Sequence, residues 1–110
     1  MANAFTRKVS RDIGTALTAV GSYTVGASTQ TTVIGLTVAN TSASTVNIDV
    51  TLNDGANDTY LVKDAPVPVG GALVPIGGNQ KVVIITGDSI KVNSSAASSV
   101  DAVLSILEIT

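Results

Sequence analysis

The residues best placed to do chemistry are six in a row, Asn53-Asp-Gly-Ala-Asn-Asp58. They offer carboxylate and amide oxygens, the hard donors that calcium takes, and Asp54 and Asp58 are near enough in sequence for paired acid and base work. The spacing departs from the D-x-[DN]-x-[DN]-G calcium loop with its distal Glu. Asp and Asn also cap turns through their side chains, so a hairpin loop explains the same residues without a ligand. A nucleophile elsewhere would lack help. The chain contains no His and no Cys, which removes the usual general base, the commonest metal ligand, thiolate chemistry and disulfides. Lys63, Lys81 and Lys91 fall on strand-like runs, where a solvated outward position accounts for them. The expectation is no enzyme, no metal and no cofactor.

Charge is sparse and uneven. Only 13% of residues are charged, against roughly 25% in an ordinary soluble domain. A surface so poor in charge is coated with Ser, Thr and Asn or is covered by neighbours. Arg7, Lys8 and Arg11 against Asp12 give the first twelve residues +2, whereas the rest of the chain carries −4. Three cations are too few to hold nucleic acid, so an acidic protein surface is the partner expected for this cluster. No apolar run approaches the roughly 18 residues of a membrane span. The start Met1-Ala-Asn-Ala-Phe-Thr-Arg-Lys8 has no apolar core segment, so synthesis and assembly in the cytoplasm are expected.

The elements that would carry these residues are strands. Val, Ile, Leu and Ala must fill the core, since the 110 residues include one Phe, two Tyr and no Trp. β-Branched residues favour strands, and ten Gly supply turns. Ser22–Val25 reads as a short strand. Thr31–Asn40 reads as a longer one with Ile34, Leu36 and Val38 on one face, and with Gly35 marking a bulge. Thr45–Leu52 alternates most cleanly, with Val46, Ile48, Val50 and Leu52 inward and Asn47, Asp49 and Thr51 outward. Asp58–Lys63 returns from the hairpin. Pro66 and Pro68 lack donors, which makes 65–71 an edge or crossover segment. Lys81–Thr86 and Ser89–Val92 read as a hairpin turned at Gly87-Asp88. Val100–Ile109 is apolar on both faces: Ala102, Leu104 and Ile106 point one way, Val103, Leu107 and Ile109 the other.

About seven or eight short strands without a convincing helix specify one antiparallel β-sandwich, jelly-roll or immunoglobulin-like. Residues 22–110 form that domain. Residues 1–21 show no strand alternation, and their Phe5, Val9, Ile13 and Leu17 spacing is undercut by Thr6, Thr15, Thr18 and Gly14. They read as an extended basic arm. It carries the only Phe, and burying that ring is worth roughly 1.5–3 kcal/mol.

Several stretches together resemble small virion structural proteins of tailed bacteriophages, of the marine and cyanobacterial type. They are Phe5-Thr-Arg7, Arg11-Asp-Ile-Gly-Thr15, Gly21-Ser-Tyr-Thr-Val-Gly26, Thr31-Thr-Val-Ile-Gly-Leu-Thr37, Asp58-Thr-Tyr-Leu-Val-Lys-Asp-Ala-Pro-Val-Pro68, Gln80-Lys-Val-Val83, Gly87-Asp-Ser-Ile-Lys-Val92 and the final strand. The resemblance covers nearly the whole chain, though each motif alone is a strand-and-turn pattern. It implies a non-catalytic component located in the virion, whose partners are capsid, neck or tail proteins and further copies of itself. Phe5, Arg7, Lys8, Arg11, Val103, Leu107 and Ile109 are the partner-binding candidates. A receptor- or carbohydrate-binding sandwich is the alternative, for which Tyr23 or Tyr60 would supply the aromatic platform.

Overall fold

The computed structural model describes residues 2–110. Two antiparallel sheets pack face to face. The larger holds β1 (Asn3–Ile13), β9 (Val100–Ile109), β3 (Gln30–Asn40), β6 (Ala72–Ile76) and β7 (Val82–Ile85). The smaller runs β2 (Thr18–Ala19), β8 (Ser89–Ser94), β4 (Val46–Asn53) and β5 (Asp58–Val67). In the larger sheet β9 lies between β1 and β3, and β6 and β7 share the far side of β3. Successive strands mostly alternate between sheets, which is the double-sheet jelly-roll order and resolves the choice against an immunoglobulin-like arrangement.

The core forms where the inward positions of the two sheets meet. Val46, Ile48 and Val50 of β4 and Leu104 and Ile106 of β9 belong to one core cluster, and all five are almost wholly buried. Leu36, Val38, Ile76, Ile84, Ile90 and Val92 complete the apolar layer. These side chains are nearly all β-branched or Leu, so packing in this core rests on shape rather than on aromatic rings.

Gly35 does mark a bulge, because the β3–β9 register shifts between Val33 and Gly35. One extra residue reverses the side-chain alternation. Thr31 and Val33 therefore point inward before the bulge, and Leu36 and Val38 after it. Ile34, expected on the core face, is only half-buried and sits on the other side. On β4, Leu52 is only half-buried at the strand's end, while Thr51, expected outward and solvated, is fully buried and donates to Asp58 Oδ1.

Two further expectations are corrected. Lys81–Thr86 and Ser89–Val92 do not form a hairpin: β7 pairs with β3 in one sheet, and β8 pairs with β4 and β2 in the other. The turn at Gly87, in the left-handed region at φ 91°, carries the chain across the edge of the core, and Val25 clamps it through backbone bonds to Gly87 and Asp88. Ser22–Val25 is likewise no strand. Val20–Ser22 forms a 3-10 turn, and 23–25 run extended against that crossing.

Residues 1–21 read as an arm outside the sandwich; Met1 lies outside the described residues, and of the rest Asn3–Ile13 and Thr18–Ala19 are strands within the sandwich. Residues 3–13 lie along β9 as the edge strand of the larger sheet, in register from Asn3 opposite Ile109 to Ser10 opposite Ala102. The arm thus lies beside β9 rather than over its outer face. The 3-10 turn rests on it closely. A Cβ on Gly21 (φ 62°) would stand 2.6 Å from Lys8 Cβ and 3.2 Å from the Val9 nitrogen, so only Gly fits there.

Candidate interaction surface

The outward face of the larger sheet is built in rows, because residues directly opposite one another in an antiparallel ladder share a face. One row runs Phe5, Leu107, Thr32, Val83 across β1, β9, β3 and β7. The next toward the chain ends runs Asn3, Ile109, Gln30, Ile85. In the other direction come Arg7, Ser105 and Gly35, then Val9, Val103 and Thr37. Phe5 is 77% exposed, Val83 64%, Ile85 56%, Val9 52% and Val103 44%. Leu107 and Ile109 are half-buried between them. Isolated exposed apolar residues are normal, but a contiguous apolar sheet face is not.

Five of the seven sequence-predicted residues, Phe5, Arg7, Val103, Leu107 and Ile109, meet on this face. Lys8 and Arg11 do not. Lys8 points inward, its ammonium 5.2 Å from the centroid of the Tyr23 ring, and Arg11 is exposed in the bulge that follows Ser10. Sequence reasoning missed Val9, Val83 and Ile85. The signal for the last two was the unbroken apolar run Val82–Ile85, which needed the correct sheet assignment before any of it could be read as outward.

The small residues of the third row leave a shallow groove of about 300 Å³ between Phe5, Arg7, Ile34 and Ser105. A second, of about 490 Å³, opens where the end of β9 meets the Ser28–Gln30 segment and Ile85. Neither gathers titratable groups. Among the described residues no cluster of three His, Cys, Asp or Glu is placed to hold a metal ion.

The Asn53–Asp58 loop uses its oxygens on itself. Asp54 Oδ1 accepts from the backbone N–H groups of Ala56 and Asn57, and Asn53 Oδ1 accepts from Gly55. Asp58 Oδ1 accepts from the Thr51 hydroxyl and the Asn53 amide. The Asn57 and Ala56 bonds hold the Asp54 carboxyl below its ordinary range. Lys63 and Lys81 are exposed and Lys91 half-buried, each on or beside a strand.

The two tyrosines differ. Tyr23 is buried, with its hydroxyl donating to Glu108 Oε2 at 2.8 Å and lying 2.8 Å from Thr31 Oγ1. Burial pushes its phenol above the ordinary range; the Thr31 bond opposes that rise, and the Glu108 bond and charge add to it. It offers no platform. Tyr60 is 46% exposed on β5, with the Lys63 ammonium 4.8 Å from its ring centroid.

No protein-family model matches the chain, and no curated protein does. Among solved structures, one from Bacillus endospore appendages, described as forming a novel family of disulfide-linked pili, is similar at a TM-score of 0.58. The identity is 14%, over 99% of this chain and 87% of that one. At that identity the likeness is one of fold: the chain is an antiparallel β-sandwich, and it contains no cysteine.

Proposed function

We propose that this chain is a non-catalytic structural subunit that takes its place in a multi-copy particle, and that the particle is the virion of a tailed bacteriophage. The outward face of the larger sheet is the observation that carries the reading. Five strongly exposed apolar side chains surround Leu107 and Ile109, and Arg7 is the one cation in their rows. Three strands of ten or eleven residues, with β6 and β7 together as a fourth column, at about 3.3 Å per residue and about 4.8 Å between strands span roughly 600 Å² in projection. That approaches the roughly 800 Å² per partner of a standard stable interface. The described residues hold no His or Cys and no convergent acid–base pair, in keeping with a role in assembly.

The resemblance to phage virion proteins supports the virion, and within it a decorating or cementing place on the capsid surface. Neck, tail and fibre attachment are the other positions. The similarity in fold to an appendage subunit supports assembly from repeated copies, held here without disulfides. Many modest contacts give stable attachment through avidity. The test is binding to purified particles. The wild-type chain occupies them, and Val103→Asp, which places a charge on the exposed apolar face, does not; equal occupancy refutes the reading. Exposed Tyr60 favours a second reading, binding of a carbohydrate or receptor. It predicts specific glycan-array binding that is lost in Tyr60→Ala.

A further inference from the structure

We infer that copies of this chain join edge to edge, the open edge of β1 in one copy pairing antiparallel with the start of β5 in the next. The inference rests on the reading of the chain as a self-assembling subunit and names the strands that meet.

The phase of the β1–β9 ladder shows which groups β1 offers. Ala2 and Thr110 exchange both backbone hydrogen bonds, at 3.1 and 2.9 Å. Bonded and non-bonded pairs alternate along an antiparallel ladder, so Ala4, Thr6, Lys8 and Ser10 bond β9. Asn3, Phe5 and Arg7 therefore turn their N–H and C=O groups to the open edge, as does Val9 beside the turn at Gly21. Among the described residues no loop or side-chain bond satisfies them. No proline interrupts this stretch. A long strand edge without a blocking residue is a template for another strand.

The opposite flank of the molecule supplies the complement. β1 packs beside β8 and the 3-10 turn, and β5 packs beside β6, at the far edge of the larger sheet. The open edges of β1 and β5 thus lie on opposite sides of the sandwich, and side-by-side copies bring one to the other. The second half of β5 is blunted. Pro66 has no N–H, and Asp64, left-handed at φ 52°, has its N–H bonded to Asp49 Oδ1. Asp58–Tyr60 remains, next to the acidic loop and before the bulge at Leu61. With Phe5 set opposite Tyr60 in the antiparallel sense, Arg7 falls opposite Asp58. A β1–β1 pairing would instead bring two basic strands together. The contact is heterologous, so it closes a ring or continues as a row.

Light scattering on size-separated protein and electron microscopy test this. The wild-type chain forms species larger than a dimer, whose mass rises with concentration and falls with salt. Arg7→Pro removes an open-edge N–H without touching the β9 ladder, so it is folded and monomeric, while Arg7→Ala, which keeps the N–H, still assembles. Arg7→Pro retains its β5 edge, so added to wild type it caps and shortens the assemblies. Should Arg7→Pro fail to fold, Asp58→Lys alone dissolves the assembly and Arg7→Glu with Asp58→Lys restores it. A wild-type chain that stays monomeric overturns both the edge pairing and the self-assembling subunit. A dimer that Arg7→Pro does not cap overturns the edge pairing alone. So does an assembly that survives Arg7→Pro but is lost in Val103→Asp, and in that case the apolar face stands as the interface.

Discussion

Truncating Phe5 to Ala separates folding from assembly. Phe5 is 77% exposed, whereas a buried Phe removes about 150–250 Å² from water. About 150 Å² of the ring is therefore open to solvent in the single chain, and the quarter already covered contributes about 1 kcal/mol to the fold. Covering the rest at about 25 cal/mol per Å² is worth up to about 4 kcal/mol. Alanine keeps part of that area, which leaves a loss of about 2–3 kcal/mol per contact. Affinity between copies then falls by about 30- to 150-fold. Leu104→Ala is the counterpart. Leu104 is fully buried, so its truncation costs about 2–5 kcal/mol of fold stability. Urea unfolding of dilute protein reads the first quantity, and sedimentation across a concentration series reads the second. If Phe5→Ala destabilises the fold as much as Leu104→Ala does, or leaves the assembly constant unmoved, the outward face is not the interface.

Four other outcomes are expected. Gly21→Ala forces a Cβ into Lys8 in a left-handed conformation, which costs at least about 1–2 kcal/mol; hydrogen exchange of β1 amides should speed up more than that of β4. Because the fold raises the Tyr23 phenol, its contribution is whole below about pH 10 and is lost as pH rises through the folded value. Tyr23→Phe should flatten the alkaline slope of a melting series. Asp54 behaves in the opposite sense: its contribution is present above the ordinary aspartate range and is lost as pH falls through the lowered folded value, which a carboxyl NMR titration resolves. Its Oδ1 and that of Asp58 already accept loop and side-chain hydrogens, so millimolar calcium should leave the melting temperature unchanged.

What could be read in the sequence was whatever one strand announces by itself. The alternation of Val46, Ile48 and Val50, the doubly apolar Val100–Ile109 and the confinement of Pro66 to an edge strand all follow from local side-chain chemistry. Pairing is not local. Gly87-Asp88 looks like any hairpin turn, and nothing in it says that β7 and β8 part into different sheets. Gly35 signalled a bulge, but which residues exchange faces across it depends on the register with β9. The strand β1 was least legible. Most of its side chains are exposed on both faces, so no alternation betrays it, and its place comes from backbone bonds to β9. Even so, the two stretches singled out as partner-binding, 5–11 and 103–109, turned out to be neighbouring strands, and Phe5 stands opposite Leu107.

The place of β9 between β1 and β3 bears on how the molecule is made. Of the described strands it is the last to leave the ribosome, yet it is the seam between the first and the third. Until Val100–Ile109 emerges, β1 has no ladder to join and the larger sheet is split. From the moment Gln30–Asn40 is made, the nascent chain must carry one side of β3 unpaired until Val100–Ile109 follows. Closure then sets partners about a hundred residues apart in a single step, the kind of long-range pairing that folds slowly and all at once. Newly made copies are most exposed to one another in that interval, when strand edges that will later be sealed are still open.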